Sequence, residues 1–335
     1  MSPVIRELSE RGIPFYTIHS GQHYSPNMSG DFFTELEIPT PTYNSYAGRL
    51  AFPPAQVAGM VYEISSFLND KADHVIVHGD TNTTLACALA ANKLGIPISH
   101  IEAGLRCGDR SMPEEMNRVL VDQMATYWFP PTTTARGNIL IERLDINRRN
   151  ISQATGNTVV DAMHHAGFDN PTTKRNDLVL LTLHRQENVD DKNKLFRLLK
   201  AVSDFAKRYE IPVMFPIHPR TRKRVGEREF PLVGFVDPLG YRDFLSRERE
   251  SSLIITDSGG VVEEACTLRT PCVILRDCTE RPEAIACGAA SLANADTLSQ
   301  VAEEMLSNPR TWDNLFGDGN AAKRIIDFME QREIV

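Results

Sequence analysis

The sequence is 335 residues long, 41% hydrophobic and 24% charged, with a formal net charge of -8. That length suits two domains of ordinary size, and the mix of residues is that of a folded chain rather than a disordered one. No lysine or arginine block stands out, which argues against a nucleic-acid partner while leaving room for a small anionic ligand held by a few aimed donors.

The longest apolar stretches fall short of a membrane span, and the N-terminus lacks the long apolar core of a secretion signal. Cys87, Cys107, Cys266, Cys272, Cys278 and Cys287 are scattered without a CxxC pair. They read as reduced thiols, with neither disulfides nor a metal site expected, and the cytoplasm is the expected compartment.

In chain order, Pro3-Val4-Ile5-Arg6-Glu7-Leu8 reads as a first helix with no strand before it, and residues 15–18 as a strand. A helical pattern over 55–68, a strand over 74–77, a helix over 83–94 stopped by Gly95 and a strand over 97–101 follow. Trp128-Phe129 and residues 151–154 continue the alternation, which means βαβ units and parallel sheets. The polar, proline-containing stretch 167–174 is the expected linker. Strands are expected again over 178–183, 213–215, 253–256 and 272–275, with a long helix over 192–209. The predicted fold is α/β, two doubly wound halves facing a shared cleft. Ligands bind at the carboxyl ends of strands in such sheets, so the polar residues there are the ones to weigh.

The first is Asp80, in His78-Gly79-Asp80-Thr81. Taken alone it is a helix N-cap, with Thr81 or Thr83 as alternatives. Glu102 closes a buried strand, where an unpaired carboxylate is costly, and Arg106 is its candidate partner. Pro113-Glu114-Glu115 is an ordinary helix opening in isolation. Convergence changes the balance: acids arrive from successive strand ends and helix starts.

The second half supplies bases. His184 and Arg185 follow an apolar strand, suited to anionic oxygens or to proton transfer, and the bland alternative is a histidine satisfied by local backbone. His218 stands before Pro219 and reads more readily as structural. Thr256-Asp257-Ser258-Gly259-Gly260 runs from a strand into a helix, letting a phosphate approach bare N–H groups, with Glu264 a turn further in and within reach of a ribose diol. Arg276, Thr279 and Arg281 follow the next strand, either as a solvated loop or as a phosphate clamp. The chain has no GxGxxG and no Gly-Lys-Ser/Thr loop, which disfavours a nicotinamide dehydrogenase and a P-loop NTPase.

His-Gly-Asp-Thr, Ile-Glu-Ala-Gly-Leu-Arg, Pro-Glu-Glu-x-Asn-Arg, Thr-x-His-Arg-x-Glu-Asn, Asp-Ser-Gly-Gly-x-x-Glu-Glu and Arg-x-x-Thr-Glu-Arg-Pro-Glu occur here in order. Together they resemble the non-hydrolysing UDP-N-acetylglucosamine 2-epimerases, from about Pro3 to the C-terminal helix. The resemblance implies the GT-B fold of two Rossmann-like domains, here 1–166 and 175–316, with 317–335 as a helix crossing back to the first. It implies that Asp80, Glu102, Glu114 and His184 are the catalytic positions. It also implies that Arg185, His218, Ser258, Gly259, Gly260 and Glu264 hold the UDP-sugar, with Arg276, Thr279 and Arg281 near the phosphates. Gln22 and His23 resemble a segment of a second, activating sugar-nucleotide site. A homodimer and a place in cell-surface polysaccharide biosynthesis are expected on the same ground.

Family members begin with a strand and Gly-Thr-Arg-Pro-Glu, which this sequence lacks, so Met1 is expected to be an internal methionine of a longer natural chain. Inverting C2 of an N-acetylhexosamine is hard because no carbonyl acidifies that C–H. Without a nicotinamide site the route is elimination of UDP to 2-acetamidoglucal and its return, which needs a diphosphate clamp, a base and a separate acid but no cofactor and no metal. The competing readings are a hydrolysing epimerase, a GT-B glycosyltransferase, and a nucleotide-sugar binding protein without turnover. A substrate oxidised at C6 or carrying a second acetamido group is a further alternative.

Overall fold

Short strands rich in valine and isoleucine, separated by amphipathic helices, fold into two units in the structure, a computed structural model that describes residues 1–21, 31–144, 149–169, 171 and 176–335. One unit comprises Met1–Ala162 with Gly317–Val335, and the other Met163–Phe316.

In the first unit, β1 (Ile18–His19) pairs with β2 (Tyr43–Asn44), and β3 (Val75–His78), β4 (Ile98–Ile101) and β5 (Tyr127–Phe129) form a parallel sheet in that order. Strand β4 is buried along its whole length, as a central strand covered on both faces must be. The helices Pro53–Leu68 and Asn82–Lys93 cover the sheet through Met60, Ile64, Ala86 and Ala90. The last helix, Ala321–Glu330, packs Ile325, Ile326 and Met329 with Val4 and Leu8 of the helix Ser2–Glu10. Asp161 holds its start by accepting the Ala321 and Ala322 N–H groups.

The second unit has β6 (Asn176–Thr182), β7 (Val213–Pro216), β8 (Val233–Val236), β9 (Ser251–Thr256), β10 (Cys272–Ile274) and β11 (Ala290–Leu292), all parallel, in the order β8-β7-β6-β9-β10-β11. The strand order reverses direction between β6 and β9. That is the doubly wound switch point, outside whose strand ends ligands bind.

Three expectations shift. Of the segment expected as a strand over 15–18 only Ile18 falls in a strand, which ends at His19, and of the one over 151–154 only Ile151 pairs, in a single bridge to Trp128. Strand propensity does not supply a partner, and pairing is what makes a strand. The division between units falls inside the helix Thr158–His165, ahead of the expected linker, of which residues 170 and 172–174 lie outside the described residues.

Candidate active site

In the first unit Asp80 leaves β3 through the turn at Gly79. It is Thr81, not Asp80, that caps the helix Asn82–Lys93, accepting the Thr84 N–H. Asp80 instead receives Arg118 Nη2 at 2.5 Å, while its carbonyl accepts Asn117 Nδ2 at 2.8 Å. Arg118 is almost fully buried and also donates to Glu115 at 2.6 Å. Glu115 in turn accepts the Cys107 and Gly108 N–H groups. Burial works against its charge, but those donors and Arg118 together hold its carboxyl below the usual range. The Pro-Glu-Glu-x-Asn-Arg segment is therefore the frame that sets Asp80, and Glu114 stands half-buried in its first helical turn.

Glu102 follows β4 with φ +67°, a left-handed conformation that a non-glycine residue adopts at a cost. Its Oε1 accepts Asn157 Nδ2 at 2.8 Å and lies 3.6 Å from His78 Nε2. The pairing with Arg106 does not form. Arg106 goes to Asp122 at 2.8 Å and to Glu142 at 2.8 Å, because the helix Pro113–Met124 brings Asp122 under the strand ends.

At the switch point of the second unit, Asp257 ends β9 completely buried. Its carboxylate accepts the N–H groups of His184 and Arg185, Asn188 Nδ2, and His184 Nδ1 at 3.0 Å. Burial opposes its ionisation, and His184 and Asn188 outweigh burial, so its pKa falls below the ordinary value. The half-exposed His184 ring is thereby fixed with Nδ1–H toward Asp257 and Nε2 turned outward. Asp257 is the functional candidate that the sequence reading did not single out. The available signal was the one used for Glu102, a carboxylate closing an apolar strand.

Next to it Ser258 opens the helix Gly259–Thr267 without using its own hydroxyl as a cap. A Cβ at Gly259 would lie 2.5 Å from Glu280 Oε1, whereas one at Gly260 would meet nothing within 4 Å. The first glycine is thus required by close packing, and the second leaves open space beside the first helical turn, whose N–H groups have no helical partners.

Arg276 and Arg281 are not part of a solvated loop. Their side chains are only 1% and 7% exposed. Arg276 donates to Glu280 at 2.7 Å, and Arg281 to Glu280 at 2.8 Å and Glu263 at 3.0 Å. A desolvated carboxylate such as Glu280 requires cations, and these two arginines supply them. Arg185, 3.5 Å from Glu280, is the more exposed guanidinium of the group, and Thr279 accepts the Arg281 N–H. His218 is a cap, its Nδ1 accepting the Arg220 N–H at 3.1 Å. Glu264 is buried rather than displayed, with Glu263 and Glu248 as its acidic neighbours. Gln22 and His23 lie outside the described residues. Among the described residues no group of three or more His, Cys, Asp or Glu side chains is arranged to hold a metal ion.

The two doubly wound units, with acids at the strand ends of one and a glycine-opened helix at the switch point of the other, define an α/β protein of the GT-B class. A family model described as UDP-N-acetylglucosamine 2-epimerase matches residues 6–330. The UDP-N-acetylglucosamine 2-epimerase of Methanococcus maripaludis is 45% identical over 98% of this chain and 94% of its own length. The UDP-2,3-diacetamido-2,3-dideoxy-D-glucuronate 2-epimerase of Pseudomonas aeruginosa is 38% identical over 93% and 90%. The crystal structure of Methanocaldococcus jannaschii UDP-GlcNAc 2-epimerase in complex with UDP-GlcNAc and UDP matches with a TM-score of 0.91 at 42% identity, over 98% of this chain and 95% of that one. The chain belongs to the UDP-N-acetylglucosamine 2-epimerase family.

Proposed function

We propose that the chain interconverts UDP-N-acetylglucosamine and UDP-N-acetylmannosamine by eliminating UDP to 2-acetamidoglucal and adding it back, without hydrolysis. The observation that carries this reading is the switch point, where His184 held by Asp257 stands beside the Ser258-Gly259-Gly260 helix start. Such a start binds a diphosphate through N–H groups and helix dipole, and Arg185 adds a guanidinium.

As the C1–O bond lengthens, positive charge at C1 acidifies the C2 proton, and a carboxylate among Asp80, Glu102 and Glu114 takes it. The electron pair of C2–H becomes the C1–C2 double bond, and the pair of C1–O leaves with UDP. His184 offsets the charge developing on the departing diphosphate. Return of UDP to C1, with a proton delivered to the other face of C2 by a second acid, completes the inversion.

The free cysteines support a reducing compartment, the cytoplasm. The Pseudomonas relative makes a 2,3-diacetamido uronate the alternative sugar. Incubation with UDP-N-acetylglucosamine alone, followed by product analysis, tests the reading. The expected product is the UDP-bound epimer. Free UDP with N-acetylmannosamine would mean hydrolysis, and no reaction would mean a transferase, a binder, or the alternative sugar, which a parallel incubation decides.

A further inference from the structure

The acid-bearing turn of the first unit rests on a buried ring that none of these roles uses. His100, on β4, is fully buried. Its Nδ1 lies 2.7 Å from Asp122 Oδ1, and its Nε2 lies 3.0 Å from the Gly79 carbonyl. A carbonyl only accepts, so Nε2 carries a hydrogen. Asp122 Oδ2 takes the Gly104 N–H at 3.0 Å and Arg106 Nη1 at 2.8 Å, the environment of an ionised carboxylate, so Nδ1 carries a hydrogen as well. Burial opposes a charge on the ring. Asp122, the Gly79 carbonyl and Glu102 outweigh it and raise the ring's pKa, while Asp122, burial notwithstanding, is lowered by His100, Arg106 and the Gly104 N–H.

What the ring touches is the point from which Asp80 departs. Gly79 has φ +72°, its N–H donates to the Ile101 carbonyl at 3.1 Å, and a Cβ there would lie 3.3 Å from Glu102 Oε2. The turn is thus held at its N–H by Ile101 and at its carbonyl by His100, with Glu102 against its open side. The direction in which the chain carries Asp80 toward Arg118 depends on that carbonyl.

We propose that His100, bridged between Asp122 and the Gly79 carbonyl, is a positioning residue for the epimerisation, fixing the turn that aims Asp80 and abuts Glu102. The inference rests on the reading of Asp80 and Glu102 as acid/base groups. Displacing a reacting group by about 1 Å costs on the order of a hundredfold in rate, and that is the effect expected here.

The test compares His100→Leu and His100→Gln in steady-state kinetics, with UDP affinity by calorimetry, melting curves, and 15N NMR of the wild-type ring. The expected result is a kcat about a hundredfold lower for His100→Leu. KM and UDP affinity should stay near wild type, and His100→Gln, which keeps a donor for the Gly79 carbonyl, should regain much of the loss. Wild-type kcat in His100→Leu, or parallel loss of kcat and UDP affinity in both variants, would overturn the proposal. If neither variant folds, the wild-type spectrum decides: both ring nitrogens protonated at neutral pH supports the bridge, and a neutral tautomer in an active epimerase overturns this proposal alone. A doubly protonated ring in a wild-type protein that does not epimerise UDP-N-acetylglucosamine overturns the functional reading, and the catalytic role of the turn with it.

Discussion

Two ion pairs, Arg118–Asp80 in the first unit and Asp257–His184 in the second, arrange charge in opposite senses. In the first, a buried cation holds an acid that reaches the surface: Arg118 is 2% exposed and its partner Asp80 24%. In the second, a buried acid holds a base: Asp257 is 0% exposed and its partner His184 56%. A buried ion is tolerated only when paired, so each interior charge dictates where its partner stands, and the sign that remains outside is the partner's. One unit therefore offers carboxylates, the groups that the proposed reaction needs for proton transfer, and the other an imidazole, a guanidinium and helix N–H groups, the groups that it needs for a diphosphate.

Breaking the arrangement in the second unit should give the largest effect. Asp257→Asn removes the charge that orients His184 and frees its tautomer, and turnover should fall at least about a thousandfold with the fold retained by circular dichroism. A fall of less than about tenfold would show that His184 does not need Asp257. In the first unit, Arg118→Met leaves Asp80 and the buried Glu115 without their cation and should cost about 3–5 kcal/mol in urea unfolding. Asp80→Asn, Glu102→Gln, Glu114→Gln and His184→Asn should each lower turnover at least about a hundredfold. The three first-unit variants should keep UDP affinity, and a joint loss of UDP binding would erase the division of labour.

A smaller effect concerns the buried acids that face one another. Glu264 is pushed up to about 8 by burial and by Glu263, and Glu248 is raised by burial and by Glu264. The folded protein thus holds protons that the unfolded chain releases. Stability from this pair is fullest below the ordinary glutamate pKa of about 4.3 and is lost as pH rises through the folded values. Glu248→Gln should lose less stability than wild type between about pH 5 and about pH 8 in urea titrations; equal losses would mean the pair is not coupled to folding. The smallest effect lies outside both sites. Arg11 joins Glu7, Asp327 and Glu330 between the first and last helices, and Arg11→Ala should cost about 1 kcal/mol or less by thermal melting.

The fold class was legible because hydrophobic period is a local property. The helix Lys192–Tyr209 stands where its pattern put it, capped by Asp191. Strand pairing is not local, which is why residues 15–18 and 151–154 read as strands but pair at so few positions. The same limit applies to charge. Arg106 is four residues from Glu102, yet its partner Asp122 comes from a helix sixteen residues on, through packing that sequence spacing does not encode. Arg276 and Arg281 were visible as cations beside a candidate phosphate site, and only the fold reveals their pairing with Glu280 and Glu263. Which positions carry polar chemistry at strand ends was readable; which of them are buried supports and which face solvent was not.

In the proposed reaction displayed carboxylates exchange the C2 proton while UDP stays bound. The most direct measurement is incubation with UDP-N-acetylglucosamine in D2O, followed by mass spectrometry and proton NMR. The expected result is UDP-N-acetylmannosamine with one deuterium at C2, label entering the recovered substrate, and no accumulation of free UDP. An epimer that retains its C2 proton, or N-acetylmannosamine released with stoichiometric UDP, would contradict it.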